Sequence, residues 1–168
     1  YSLDQDPMKR VTLGQEIEAL DLSLGTERLR FGERLRLEYA IEGPALDALV
    51  PSLLLQPLVE NALKYAVSPR EQGGLVRIEG RARGAMLEVS VIDDGPGLDD
   101  GAGLDDRSRP FPGAPPLAPA VLRVERRGGV GLRNTRERLA VLYGEDFRFA
   151  VVNGRPGLRI DLALPRAV

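Results

Sequence analysis

The chain has 168 residues, of which 43% are apolar and 29% charged, a balance typical of one globular domain. Its formal net charge of −2 gives no electrostatic case for nucleic-acid binding. It contains neither cysteine nor histidine, which excludes disulfides, thiolate metal sites, a Ser-His-Asp triad and His-ligated zinc within it. No apolar run is long enough to span a bilayer. Because the chain begins at Tyr1 without Met, we expect it to be part of a longer protein.

The first part of the chain predicts a helix and then a strand. Thr12 and Gln15 have the spacing of a capping box, which marks a helix start. Apolar residues then recur every three or four positions up to Leu24, and Phe31-Gly32 is expected to end the helix. Residues 35–41 alternate between apolar and polar, which predicts a strand with one buried face.

A second helix is predicted from 54 to 66, with Glu60, Asn61 and Lys64 on a different side from its apolar face. Asn61 and Lys64 are three residues apart, so they are neighbours on the helix surface. A carboxamide beside an ammonium suits a polyanion with its metal. Pro51 could lie in the first turn of this helix, and if the helix already runs from there, Pro57 is expected to kink or restart it.

Two strands, 76–82 and 86–93, are predicted next, with a turn near Gly84. The second strand runs directly into the sequence DDGPG at 93–97. Residues 99–128 are rich in proline and glycine, which predicts a long loop, and such loops are usually functional or mobile.

A helix is predicted from about Leu132, followed by a strand over 147–151, a turn at Asn153-Gly154 and a last strand over 158–164. Hairpin-linked strands separated by helices predict an α+β fold, with a mixed, mainly antiparallel sheet and helices on one face. The order lacks the regular alternation of a doubly wound fold.

Each candidate motif is weak when taken alone. In Asp93-x-Gly95-x-Gly97, the glycines allow close backbone approach to a ligand and the aspartate could accept a hydrogen bond from a base, but an Asp-Gly turn has the same pattern. Gly129-x-Gly131 before a helix is either an anion cradle or a tight loop entry. A single Asn or Lys on a helix is most often a solvated surface residue.

In this order, the three stretches together resemble the N, G1 and G2 boxes of GHKL ATPases, as found in histidine kinases, Hsp90, MutL and gyrase B. The sequences LQPLVENALK at 55–64 and GVGLRNTRERL at 129–139 look like those of the LytS/YehU-type sensor histidine kinases. So do VTLGQE at 11–16 and ERLRFGERL at 27–35. The resemblance covers nearly the whole chain except 99–128, which is longer and richer in proline than the family's lid.

The resemblance implies a two-layer α/β sandwich of the Bergerat (GHKL) type. Residues 1–33 would be a linker helix that follows the phosphoacceptor helices, which this chain lacks. Residues 34–168 would be the ATP-binding catalytic domain, with 99–128 as its ATP lid. The implied cofactors are ATP and Mg²⁺.

The resemblance also implies residue roles. Asn61 matches the asparagine that coordinates the Mg²⁺ bridging the ATP phosphates, and Glu60 beside it would orient water or help the metal; these two are the catalytic candidates. Lys64 would contact phosphate, Tyr65 would line the adenine side, and Asp93 matches the aspartate that binds the adenine amino group. An arginine at 126 or 127 is a further candidate for a phosphate contact. The remaining candidates would lie beneath the nucleotide or close its phosphate side: Gly95, Gly97, Gly129, Gly131 and Leu132.

The expected function is therefore the ATP-binding catalytic domain of a two-component sensor histidine kinase. The γ-phosphoryl group would pass to a histidine outside this chain, because the chain has none, and then to a response regulator. The expected partners are its own upstream phosphoacceptor helices in a homodimer and a response regulator of LytTR type. The domain would be cytoplasmic, and the full-length protein would lie in a bacterial cell membrane through segments upstream.

Three alternatives remain at this stage. A protein-serine kinase of the anti-sigma-factor type shares the fold and needs no histidine, although the upstream linker motif disfavours it. An ATP-driven clamp would carry a transducer domain downstream, whereas this chain ends soon after its last strand. A nucleotide-free interaction module would have decayed boxes, whereas the residues of all three boxes are intact.

Overall fold

The computed structural model describes residues 9–95, 104–105, 132–153 and 157–166. Within them, a six-stranded mixed sheet forms one layer and the helices form the other. The elements in chain order are β1 (Arg10–Thr12), α1 (Leu13–Ser23), α2 (Gly25–Phe31), a 3₁₀ turn (Gly32–Arg34), β2 (Leu35–Ile41), α3 (Gly43–Leu46), β3 (Leu49–Pro51), α4 (Leu55–Ala62), a π-helical turn (Leu63–Val67), β4 (Gly74–Arg83), β5 (Met86–Asp93), β6 (Leu104–Asp105), α5 (132–143), β7 (Arg148–Asn153) and β8 (Leu158–Pro165).

The strand order is β2-β4-β5-β8-β7-β6, and only β2 and β4 pair in parallel. The antiparallel majority and the one-sided helices confirm the predicted fold class. β1 and β3 form a separate two-stranded antiparallel sheet. This small sheet joins the N-terminal segment to the chain immediately before α4.

The main sheet has one apolar and one charged face because its strands alternate. On β5, Leu87, Val89 and Val91 are buried in the core beneath the helices. On the opposite face, charged side chains pair across strands, as Arg77 does with Glu38 at 2.9 Å. The candidate binding site lies where the helical layer meets the ends of the strands.

The N-terminal helices share this core. Leu13, Leu20, Leu24 and Phe31 are buried in the same cluster as the sheet residues. The first helix is interrupted at Leu24, between α1 and α2, and ends at Phe31 as predicted. Its predicted capping box is confirmed by reciprocal bonds between Thr12 and Gln15 at 2.9 and 3.1 Å.

Two details differ from the sequence predictions. The predicted kink at Pro57 is wrong: α4 begins at Leu55, so Pro57 lies in the first turn, where a missing N–H is harmless. The irregularity comes later, in the π-helical turn. Within the predicted loop 99–128, Leu104–Asp105 form the edge strand β6 against β7, and the rest of that loop lies outside the described residues.

Candidate functional site

Asn61 is the most unusual side chain of α4. The sequence places it on a polar side with Glu60 and Lys64, but the structure separates them: those two are exposed and Asn61 is only 6% exposed. Neither its Oδ1 nor its Nδ2 has a hydrogen-bond partner among the described residues. Leaving a buried polar group unpaired costs about 1–3 kcal/mol, so this amide points to a ligand that would pair with it.

Asp93 lies at the end of β5 and is 4% exposed. Its Oδ1 accepts hydrogen bonds from the backbone N–H of Gly95 at 2.9 Å and of Leu158 at 3.3 Å. The first bond is the Asp-Gly turn that the sequence left open as an alternative. The second bond and the burial go further, because they fix the carboxylate between β5 and β8.

Gly95 brings this strand end against the helix. A Cβ at Gly95 would lie 2.7 Å from the Cβ of Ala66, which is too close for any other residue without movement. Gly74 is similarly close, since a Cβ there would lie 2.6 Å from the carbonyl oxygen of Ala66. The end of β5 therefore runs directly beside the π-helical turn that follows Asn61.

The helical stretch 54–67 and the end of β5 at 93–95 form the two walls of the candidate site. Asp94 and Arg70 hold these two walls together. The Arg70 guanidinium donates to Asp94 Oδ1 at 3.0 Å and to the carbonyl oxygens of Asp94 and Ala66 at 2.9 and 3.2 Å. Asp94 Oδ1 also accepts from the N–H of Leu75 at 2.9 Å. Neither residue was predicted from the sequence, where the only signal was a second carboxylate next to Asp93.

The remaining candidates of the 54–66 helix lie nearer the surface. Lys64 is exposed, and its Nζ lies 5.4 Å from the ring centroid of the half-buried Tyr65, within cation–π range. Glu60 is exposed and accepts a bond from Gln56 Nε2 at 3.3 Å. Both charged groups therefore border the buried Asn61.

The phosphate-side candidates are only partly described. Leu132 is buried in the core at 1% exposure, which leaves its backbone as the part that could face a ligand. The other candidates of this group lie outside the described residues: Gly97, Gly129, Gly131 and the arginines at 126 and 127.

Glu16 is a buried charged residue. In the sequence it was noted only as the last residue of VTLGQE at 11–16, one of the stretches that look like those of the sensor histidine kinases. It is 4% exposed, and its two oxygens accept from the N–H groups of Leu53 and Leu55, each at 2.9 Å. Burial raises the pKa of the Glu16 carboxyl, while the backbone N–H groups and Arg138 oppose that rise. Unlike Asn61, this side chain is satisfied by the protein itself.

A metal ion at this site would need ligands from outside the side chains. No group of three or more acidic side chains in the described part of the chain is placed to hold a metal ion. The donor that fits a hard cation is the amide oxygen of Asn61, with phosphate oxygens as further ligands. Across the same described residues, no helix has the length and hydropathy to cross a membrane.

Known proteins with similar sequences are sensor kinases. YesM of Bacillus subtilis, a sensor histidine kinase, is 29% identical over 156 residues, which are 92% of this chain and 24% of YesM. The sensor protein LytS of Enterococcus faecalis is 29% identical over 156 residues, 92% of this chain and 25% of LytS. The chain thus spans about a quarter of the length of these curated relatives.

Solved structures share the fold. The catalytic domain of histidine kinase ThkA matches with a TM-score of 0.64 at 16% identity, over 94% of this chain and 96% of that domain. ThkA in complex with the response regulator protein TrrA matches with a TM-score of 0.57 at 14% identity, over 95% of this chain and 42% of the ThkA chain.

A family model matches residues 47–168, which include α4, the end of β5 and the helix α5. Its description is histidine kinase-, DNA gyrase B- and HSP90-like ATPase. The match spans well over half of the chain and contains both walls described above. The chain belongs to this family of ATPases.

Proposed function

We propose that this chain is the ATP-binding catalytic domain of a LytS-type sensor histidine kinase. The observation that carries the proposal is the buried Asn61 amide, which has no partner among the described residues and lies on the helix that adjoins the buried Asp93. The relatives that cover most of the chain are named as sensor histidine kinases or sensor proteins. A nucleotide between the two walls would pair with this amide, which has no partner in the part of the chain that the structure describes.

In this proposal ATP lies between the helical stretch 54–67 and the end of β5. Asn61 would supply an oxygen ligand to Mg²⁺, and Glu60 and Lys64 would act at the phosphate side. Tyr65 would line the adenine side, and Asp93 would accept a hydrogen bond from the adenine amino group. Mg²⁺, when bound, would neutralise phosphate charge and favour phosphoryl transfer. The backbone of the remaining candidates would pass beneath the nucleotide or close its phosphate side: Gly95, Gly97, Gly129, Gly131 and Leu132.

The organisation of the whole protein is part of the same proposal. Residues 1–33 would link this domain to phosphoacceptor helices upstream, and 34–168 would form the ATP-binding domain with a lid at 99–128. The acceptor would be a histidine outside this chain, in a homodimer, and the next acceptor an aspartate of a LytTR-type response regulator. The domain would lie in the cytoplasm of a bacterium, with membrane segments elsewhere in the protein.

Calorimetry with a non-hydrolysable ATP analogue tests nucleotide binding. We expect Asn61→Asp to weaken binding by about tenfold or more when Mg²⁺ is present, and Asp93→Ala to weaken it with or without Mg²⁺. Asn134→Asp is a matched control, because Asn134 is exposed on α5. Unchanged affinity in both site variants, with circular dichroism showing that they are folded, would reject the proposal.

Phosphoryl transfer is tested by adding labelled ATP and a separate histidine-bearing helical segment of LytS type. The expected product is phosphate on histidine, which acid removes. Acid-stable phosphoserine on a partner would instead identify a protein-serine kinase.

A further inference from the structure

The start of α4 takes its cap from another helix. An α-helix leaves its first N–H groups without intrahelical partners, and a side chain at the cap position usually accepts one of them. Here the cap residue is Leu54, which is buried in the core and makes no side-chain cap bond. Glu16 of α1 supplies the missing acceptors, with one carboxylate oxygen to Leu53 N–H and the other to Leu55 N–H.

The contact with Glu16 is accompanied by an unusual backbone conformation at Leu53. Leu53 has φ of +61°, and it is the one non-glycine residue with positive φ among the residues described. A leucine in the left-handed region costs roughly 1–2 kcal/mol. The strain is tolerated because it presents the N–H of Leu53 to the carboxylate of Glu16. The N-terminal end of a helix also favours a negative charge.

The other end of the same helical stretch is held by a positive charge. Arg34 Nη2 donates to the carbonyl oxygens of Val67 at 3.3 Å, Ser68 at 3.1 Å and Arg70 at 2.9 Å. Val67 is the last residue of the π-helical turn and the other two follow it, at the end of the helix where the dipole favours a cation. Each charge therefore has the sign that its end of the helix favours.

Both anchors belong to one segment, residues 13–34, and Asn61 lies midway between them. It is six residues after Leu55 and six before Val67. At a rise of about 1.5 Å per residue, each anchor is about 9 Å away along the axis. A helix is stiff over that distance, so the two anchors determine where the Asn61 amide lies.

We propose that Glu16 and Arg34 are positioning residues through which the segment 13–34 sets the place of Asn61 and thereby the affinity of the domain for Mg²⁺-nucleotide. The inference rests on the proposed function for the ligand of Asn61, but the anchoring concerns this chain's own residues. A displacement of α1 relative to the 3₁₀ turn would move the helix along its axis and change the nucleotide site without any contact to nucleotide.

The test uses Glu16→Gln and Arg34→Lys. Glutamine would turn an NH₂ group toward one of the two N–H donors. Lysine keeps the charge but is one bond shorter than arginine, whose terminal Nη2 reaches all three carbonyls. The matched controls are Glu18→Gln, on the same helix, and Arg30→Lys, because both wild-type side chains are exposed. All measurements are made well below the unfolding transition of each variant.

Two readouts separate positioning from simple loss of stability. In the free protein, the NMR signal of the Asn61 side-chain amide should shift in both anchor variants and stay in place in both controls. The affinity for Mg²⁺ with an ATP analogue should fall by about tenfold in the anchor variants, as for other outer-shell partners of a metal site. Affinity for the analogue without Mg²⁺ should change by less than about twofold, and in an Asn61→Ala background Glu16→Gln should cause no further loss.

The outcomes are distinct. An unmoved Asn61 signal, or anchor variants that lower the melting temperature but bind like their controls, would overturn the inference. An equal loss of affinity with and without Mg²⁺ would also overturn it, since that indicates general distortion. If wild type binds no nucleotide, the proposed function fails, and the NMR shift alone decides whether Glu16 and Arg34 position Asn61. Arg34→Lys keeps the test valid if Glu16→Gln does not fold.

Discussion

Two polar side chains are buried at α4 to nearly the same extent, Glu16 of α1 at its start and Asn61 in its last turn, but the described residues satisfy only one of them. Glu16 is 4% exposed and its two oxygens accept two backbone N–H groups. Asn61 is 6% exposed, and its amide has no partner among the described residues. Nearly equal burial therefore goes with a hydrogen-bonded side chain at the start of α4 and with one that has no partner among the described residues near its end.

The difference shows that unmet hydrogen bonding, rather than burial, marks the candidate site. A satisfied buried charge stabilises the arrangement of the elements around it. An unsatisfied buried amide destabilises the free protein and is retained only where something else offsets its cost. On this reasoning Glu16 belongs to the support of the site and Asn61 to the site itself.

The largest expected effect comes from Asn61→Leu, which has opposite signs for binding and for folding. Leucine branches at the same carbon as asparagine, is somewhat larger, and has no polar group to satisfy. We expect the affinity for Mg²⁺-ATP analogue to fall about a hundredfold, or about 2.7 kcal/mol. The free energy of unfolding of the free protein should rise by about 1 kcal/mol, because the cost of the unpaired amide is removed. Calorimetry and urea unfolding measure the two quantities.

Asn134→Leu is the control for this variant, since Asn134 is exposed and surface changes usually stay within about 0.5 kcal/mol. A loss of stability in Asn61→Leu comparable to that of a core truncation would mean that the amide is satisfied in the free protein. The contrast between Asn61 and Glu16 would then be lost.

The sequence predicted the fold well where local patterns are strong. The strands at 35–41 and 86–93 are confirmed, as is the capping box at Thr12. The fully buried face predicted for 35–41 is wrong, because on this strand only Leu35 is buried and Tyr39 is exposed. The capping residues lie within three positions of each other and the strands alternate with period two, so neither needs tertiary information. Pro57 was misread because the start of α4 depends on Glu16, which lies far away in the sequence.

The candidate site was predicted less completely. The pattern Asp93-x-Gly95 predicted close backbone approach to a ligand, and that stays a prediction, because the close neighbour of Gly95 in the structure is Ala66. Burial of Asn61 could not be inferred from helix spacing, which grouped it with exposed neighbours. Arg34 and Arg70 were missed because their backbone carbonyl partners have no signature in the sequence, and because Asp94, the charged partner of Arg70, lies 24 residues away.

Asp94, like Glu16, is a carboxylate whose hydrogen-bond partners lie within the protein. Asp94→Asn therefore tests a satisfied group and should have a smaller effect than Asn61→Leu. The carboxylate pairs with Arg70 at 3.0 Å and is partly exposed, so the loss should be about 1–2 kcal/mol of unfolding free energy. The reason is that the Arg70 guanidinium would keep its carbonyl partners but lose its counter-charge. Urea unfolding at low and high salt measures this.

The control for Asp94→Asn is Glu38→Gln, which removes the more exposed pair with Arg77 and should change stability by less than about 0.5 kcal/mol. Equal losses in the two variants would show that the Asp94 pair contributes no more than an ordinary surface contact. The junction between β5 and the π-helical turn would then depend on packing at Gly95 and on the bonds from Arg70 to the carbonyl oxygens of Ala66 and Asp94.

The smallest expected effect is the pH dependence that Glu16 contributes. Burial raises the pKa of its carboxyl above the ordinary value of 4.5, against the N–H groups of Leu55 and Leu53 and the charge of Arg138. Because the folded-state pKa is the higher one, the folded protein holds this proton more tightly than the unfolded chain. The stabilising contribution is therefore complete below about pH 4.5 and is lost as pH rises through the folded-state pKa.

Glu16→Gln removes this titration, so the variant should gain stability relative to wild type as pH rises from about 4 to about 7. The hydrogen bonds that oppose desolvation keep the change small. Urea unfolding across that range, with Glu18→Gln as the exposed control, measures the difference between the two curves. A difference that moves the other way would show that the N–H groups and Arg138 outweigh burial. Glu16 would then be an anchor that strengthens on ionisation, and the hold of α1 on α4 would tighten toward neutral pH.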